Sequence, residues 1–163
     1  MNIFLIGMPG SGKTTVARHL AKAKNLTYID LDGMIEKDAK MFIEDIFEKY
    51  GEQTFRSLET EALKRLPEDG AVIACGGGIV TVKSNQDLMK GLTIYLDTDI
   101  DVIRERLKTD YVRPLLKQKS LETLYDERFL KYQDFADLIV SNQQSVEETV
   151  KTIIVLLEKR GVR

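Results

Sequence analysis

The sequence predicts an α/β protein built on a five-stranded parallel sheet flanked by helices, and three observations predict it. Short β-rich runs alternate with amphipathic helical stretches along the chain. The first run, Ile3-Phe4-Leu5-Ile6, leads directly into Gly7-Met8-Pro9-Gly10-Ser11-Gly12-Lys13-Thr14, a complete phosphate-binding P-loop. The residues that follow, from Thr15 to Lys22, carry a helical pattern, so the loop sits in the strand-loop-helix context that lets it grip a polyphosphate.

Each element has its own warrant. The strand candidates are Ile3–Ile6, Thr27–Asp30, Ala71–Ala74, Thr93–Leu96 and Leu138–Val140. Asp101–Lys108 places Val102, Ile103 and Leu107 on one helical face, and Val146, Val150, Ile153, Ile154 and Leu157 recur at helical spacing near the C-terminus. Ser145 with Glu148 is a capping-box start for that last helix. Residues 33–66 are helical in pattern with no strand among them, which marks an inserted helical lobe. Residues 109–119, with Pro114 between two helices, read as a mobile loop. There is no repeat, low-complexity tract or linker, so 1–163 is expected to be a single domain.

Composition narrows the function classes. At 163 residues the chain can bury roughly 70% of its unfolded surface. A net charge of −2 leaves no electrostatic footprint for nucleic acid or an anionic membrane. One cysteine excludes an internal disulfide framework and a cysteine zinc site. No apolar run approaches the roughly 18 residues of a membrane span, and Ile3–Ile6 runs into the P-loop as a strand rather than a signal peptide. A cytoplasmic protein is expected. With no apolar patch or heptad run asking for a partner, so is a monomer.

The P-loop assigns parts to its residues. The backbone around Gly10, Ser11 and Gly12 can wrap an anion, Lys13 brings a charge to the β- and γ-phosphates, Thr14 offers a hydroxyl to Mg²⁺, and Thr15 continues into the helix. Asp30-Leu31-Asp32 ends the second strand. In extended chain both carboxylates would face the crevice beyond it, one for a metal-bound water or an acceptor hydroxyl and the other for sugar-like hydroxyls. Asp97, at the end of Thr93–Leu96, is a rival metal ligand of the Walker-B type, and periodicity does not choose between Asp30 and Asp97.

Further along, Arg56 either forms an exposed i,i+3 pair with Glu59 or clamps a carboxylate or phosphate. Gly76-Gly77-Gly78 permits a backbone approach to a substrate that any Cβ would obstruct. Cys75 reads as a small buried hydrophobe and His19 as a surface residue. Arg113, in the mobile loop, can be carried to a transferring phosphoryl group by closure. Arg128 and Arg106 each have a binding reading, a carboxylate clamp and an adenine platform, beside an ordinary surface one.

Taken in order, these motifs resemble the shikimate kinase family. The likeness runs through the P-loop, Asp30-Leu31-Asp32, Ile46-Phe47, Gly51-Glu52 with Phe55-Arg56, Gly76-Gly77-Gly78, Arg113-Pro114-Leu115-Leu116 and Glu127-Arg128 with Tyr132. It implies a three-layer P-loop fold with a helical substrate lobe at about 31–66 and a short mobile lid at about 109–119. It implies transfer of the ATP γ-phosphoryl group to the 3-hydroxyl of shikimate, with Mg²⁺ as cofactor, in the synthesis of chorismate and aromatic amino acids.

The resemblance also gives the site its roles. Arg56 and Arg128 would bind the shikimate carboxylate, Asp32 the ring hydroxyls, and Gly77 the substrate through its backbone between Gly76 and Gly78. Phe47 and Phe55 would wall the pocket, Arg113 would close over the phosphates, and Arg106 would stand against adenine. Asp30, rather than Asp97, would support Mg²⁺ through water beside the acceptor hydroxyl, and Thr14 would ligate the metal directly.

Two departures stand out: Lys40 occupies a place where the family usually has Gly, and Cys75 one where Thr or a hydrophobe is common. Residues 142–144 align poorly with the family, so none is assigned. The competing functions are a kinase of another polyol acid such as gluconate, against which Phe55-Arg56 and Arg128 speak, and a nucleotide-binding regulatory module without catalysis.

Overall fold

The computed structural model describes residues 1–108 and 119–162. Five strands form one parallel sheet: β1 (Asn2–Ile6), β2 (Thr27–Asp30), β3 (Ala71–Ala74), β4 (Gly91–Asp97) and β5 (Leu138–Ser141), in the order β2-β3-β1-β4-β5. Helices α1 (Lys13–Lys24), α2 (Leu31–Ala39), α3 (Ile43–Tyr50), α4 (Glu52–Lys64), α5 (Asn85–Leu88), α6 (Ile100–Leu107), α7 (Leu121–Phe135) and α8 (Val146–Lys159) lie between the strands and after them. All five strands fall where the β-rich runs placed them, with β4 longer at both ends.

Alternation along the strands makes the three layers. Ile3 and Leu5 of β1, with Val72 of β3 and Ile94 of β4, face α1 and α8 in one apolar cluster. Phe4 and Ile6, with Ile73 and Tyr95, face the other way, against α2, α4 and α7. A period of two therefore feeds two separate cores from one sheet. Ser145 accepts from the Glu148 N–H at 3.2 Å and so caps α8 as the sequence foretells; Ser120 does the same for α7 from Thr123.

β1 lies between β3 and β4, so the crossovers leave it in opposite directions and open a crevice beyond its C-terminal end. Two glycine-rich loops meet there, the P-loop after β1 and Gly76-Gly77-Gly78 after β3. The Cys75 N–H donates to the Leu5 carbonyl at 3.1 Å, which carries the β1–β3 pairing up to the loops. The helical lobe consists of α2, α3 and α4. At its first turn Lys40 ends α2 with φ 55° and ψ 40°, the left-handed conformation that costs a residue with a Cβ about 1–2 kcal/mol. The backbone at Lys40 thus keeps the shape a glycine would take, with the strain held locally.

Candidate active site

The donor side is built from backbone. Gly12 precedes α1 at φ 92°, and a Cβ there would stand 2.5 Å from Asn142 Nδ2, so neither the dihedral nor the space admits a side chain. No acidic residue lies in the first turn of α1, which leaves the positive end of the helix open to an anion. Lys13 Nζ donates to the Gly7 and Met8 carbonyls at 2.7 and 2.9 Å, folded back over the loop. Ser11 is fully buried beneath it, and Thr14 and Thr15 stand exposed at its rim.

A cleft of about 390 Å³ runs from this loop to the end of β3. Gly10, Gly12, Lys13, Thr14, Thr15, Asp30, Asp32, Gly76, Gly77 and Arg106 all line it. Asp97 does not line it; its carboxylate instead meets the Tyr95 hydroxyl at 3.4 Å.

The route by which the two aspartates reach the cleft differs from the expected one. The extended chain stops at Asp30, and Asp32 lies in the first turn of α2. Leu31 and Ile35, buried four residues apart, draw the chain into a helix as soon as β2 ends. Both carboxylates still open onto the cleft because Asp30 takes the N-cap position and Asp32 follows it around the turn.

The side expected to take the acceptor is built from side chains. Phe47 and Phe55 pack with ring centroids 4.9 Å apart, and the Arg56 guanidinium lies over both, 6.0 and 5.3 Å away. Arg56 donates to Glu59 Oε1 at 2.7 Å and pairs with Glu52 at 3.2 Å. The i,i+3 pair considered for Arg56 and Glu59 is formed, but not at the surface: Glu59 is wholly buried, because its face of α4 turns inward with Phe55, Ala62 and Leu63. Desolvation pushes the Glu59 carboxyl up to about 7, against the pull of Arg56.

The three glycines join the two sides. A Cβ at Gly76 would meet Asp32 Oδ1 at 2.8 Å and Glu59 Oε2 at 3.1 Å, and one at Gly77 would meet Pro9 of the P-loop at 2.9 Å and Arg128 Nη1 at 3.2 Å. One at Gly78 would run into the Arg56 guanidinium. The close approach that the glycines allow is therefore made by the protein's own charged side chains. Arg128, on α7, is 3% exposed and makes no ion pair among the described residues.

Arg106 donates to the Asn142 carbonyl at 3.1 Å and lies 3.4 Å from the Gly10 carbonyl, at the mouth of the P-loop. Arg113 falls outside the described residues. His19 is exposed, as expected. Cys75 is buried, and burial first, then the charge of Glu59, drives its thiol well above the usual range, so it is no nucleophile.

Sequence reasoning passed over two buried polar residues. Glu59 looked like a helix-surface acid because its burial depends on α2 and the glycine loop, which are remote in sequence. Asn142 donates from Nδ2 to the Ser11 carbonyl at 2.5 Å, accepts from Thr149 at 2.7 Å, and is tied by its N–H to the Asp97 carbonyl at 3.0 Å. Its signal was positional: a polar residue at the C-terminal end of a parallel strand, where such sheets place their ligand loops.

A parallel sheet with a P-loop at its switch point, facing a cluster of buried charged side chains, fits a P-loop small-molecule kinase. The family model for shikimate kinase matches residues 9–158. A shikimate kinase of Prochlorococcus marinus is 41% identical, over 93% of this chain and 84% of the relative, and one of Sulfurihydrogenibium is 36% identical over 98% and 99%. The solved shikimate kinase of Acinetobacter baumannii in complex with shikimate superposes with a TM-score of 0.92 at 33% identity, covering 99% of this chain and 95% of that one. The chain belongs to the shikimate kinase family and is an ATP-dependent kinase.

Proposed function

We propose that this protein transfers the γ-phosphoryl group of ATP to the 3-hydroxyl of shikimate, yielding shikimate 3-phosphate and ADP. The observation that carries the reading is Arg128. A guanidinium 3% exposed, with no ion pair among the described residues, calls for an anion to offset its desolvation. Arg56 is already paired with Glu59 and Glu52, which leaves Arg128 as the buried cation without a carboxylate of its own. A carboxylate supplies that partner to Arg128, and two neighbouring guanidinia fix its plane. Asp32, beside it in the cleft, accepts hydrogen bonds from ring hydroxyls that a simple acid lacks. Phe47 and Phe55 wall the ring, and Gly77 meets the substrate through its backbone, flanked by Gly76 and Gly78.

On the donor side, Gly10, Ser11, Gly12, Lys13, Thr14 and Thr15 hold the polyphosphate, Arg106 stands against adenine, and Arg113, outside the described residues, is assigned to the phosphates. The donor set suits Mg²⁺. Thr14 and Asp30 offer two oxygen ligands on one cleft, and no cluster of three or more acidic, His or Cys ligands exists among the described residues. Mg²⁺ characteristically takes one or two protein oxygens, with phosphates and waters completing its shell. When bound, it neutralises charge on the phosphate oxygens. Asp30 also orients the 3-hydroxyl and receives its proton. Transfer itself asks mainly for alignment and charge neutralisation, which Lys13, Arg113 and the helix end supply. We take the chain to act as a monomer in the cytoplasm; its most exposed large apolar side chains are Phe42, just before α3, and Leu130, on α7.

A coupled ADP-release assay with shikimate, quinate and gluconate as separate acceptors tests the reading. Turnover is expected with shikimate. Turnover with gluconate but not shikimate would sink it, and ATP binding without turnover on any acceptor would favour a regulatory module.

A further inference from the structure

Tyr132 has no part in the roles above, yet it lies against the glycine loop where Arg128 also lies. It lies one helical turn beyond Arg128 on α7, and it is fully buried. Its hydroxyl donates to the Gly77 carbonyl at 2.6 Å, and the Arg128 guanidinium lies at the same glycine, with Nη1 3.2 Å from where a Gly77 Cβ would stand. Its ring stacks on Tyr95 at 5.0 Å between centroids, so the phenol is held in place from behind. Burial pushes the phenol up to about 12, which keeps it a proton donor through the neutral range.

The consequence follows from peptide geometry. Among the described residues there is no cis peptide bond, and in a trans peptide the carbonyl of Gly77 and the N–H of Gly78 point in opposite directions. With the carbonyl captured by Tyr132, the Gly78 N–H is turned away from that side chain. Neighbouring amides are spoken for: Ile79 N–H donates to the Gly76 carbonyl and Thr81 N–H to the Gly78 carbonyl. The Gly77 and Gly78 amides make no such backbone bond among the described residues. Three glycines in a row offer no side chain to stop the peptide from rotating, so an outside clamp is needed.

We propose that Tyr132 is a positioning residue for the acceptor acid: it holds the Gly77–Gly78 peptide with its N–H toward the cleft and holds Arg128 beside it. A carboxylate then meets a backbone donor and a guanidinium together. The proposal rests on the reading that the acceptor's carboxylate binds at Arg56 and Arg128.

Tyr132→Phe keeps the ring and its stack and removes only the hydroxyl. KM for shikimate is expected to rise about tenfold, as for loss of one hydrogen bond to a charged group, with KM for ATP within about twofold of wild type. The preference for shikimate over its uncharged carboxamide falls by the same factor; a general loosening of the pocket would weaken both and leave the ratio intact. In the wild-type protein the Gly78 amide resonance shifts on titration with shikimate, a measurement that stands even if the variant fails to fold. An unchanged KM for shikimate in the folded variant, an unchanged carboxylate-to-carboxamide ratio, or an unmoved Gly78 resonance each overturns the proposal. Arg128→Ala separates it from the reading beneath: normal shikimate affinity in that variant defeats the carboxylate site itself. Loss of affinity there, with none in Tyr132→Phe, defeats only the role of Tyr132.

Discussion

In the proposed function, the donor and acceptor sides of the cleft solve the same problem, holding an anion, by opposite means. Residues 7–14 do it with consecutive backbone groups on one strand-loop-helix unit, and the loop's shape needs little from the rest of the chain. The acceptor side draws Asp32 from α2, Phe47 from α3, Phe55, Arg56 and Glu59 from α4, three glycines after β3, and Arg128 with Tyr132 from α7. A polyphosphate is gripped by amides and a helix end, which every polypeptide carries. A carboxylate with hydroxyl groups needs buried side-chain charges, and each of these needs a partner to offset its desolvation. The specific half of the site is therefore the dispersed half.

Substitutions can break that contrast. The largest effect is expected at the join, where Asp30→Asn lowers kcat by about 100- to 1000-fold with the fold retained, while Asp97→Asn, outside the cleft, leaves kcat near wild type. Steady-state kinetics on both variants check it, and the reverse result would move the metal and proton roles to Asp97.

Arg56→Ala comes next. KM for shikimate is expected to rise about 100-fold and KM for ATP less than threefold, because the guanidinium serves the acceptor side alone. An equal rise in both would erase the division between the halves. This variant also loses stability, since Glu59 is left buried without its cation.

The smallest effect is on pH dependence. The Glu59 carboxyl is raised from 4.5 to about 7 by desolvation, which means that ionising it costs native stability. Its contribution is complete below about pH 4.5, declines as pH rises toward 7, and is flat beyond. Chemical denaturation of wild type and Glu59→Gln across that window is expected to show a difference that changes by on the order of 2 kcal/mol. A difference constant with pH would mean that Glu59 stays ionised throughout.

How much of this was legible in the chain follows the same division. All five strands, the P-loop and the α8 cap could be read off because each depends on neighbours within a few residues. The residues of the acceptor side were legible as types, in that Arg56, Arg128 and the three glycines drew notice, but their surroundings were not. Arg56 and Glu59 at i,i+3 look the same on a solvated helix as in a buried pair. Only the packing of α4 against α2 and the glycine loop makes them the latter. Asp30-Leu31-Asp32 was placed at the right crevice by the wrong local geometry, since the first turn of a helix and the end of a strand both present residues to the same rim. Asn142 showed only its position at a strand end, because its partners Ser11 and Asp97 are 131 and 45 positions away.

By itself the sequence determined the order of strands and helices, the phosphate loop and the class of chemistry, since hydrophobic period and backbone conformation act over short range. The tertiary structure alone decided which charges are buried, which are paired and which are left for a ligand. Desolvation and pairing depend on what the fold brings alongside, and a guanidinium such as that of Arg128 carries no mark of it in the chain.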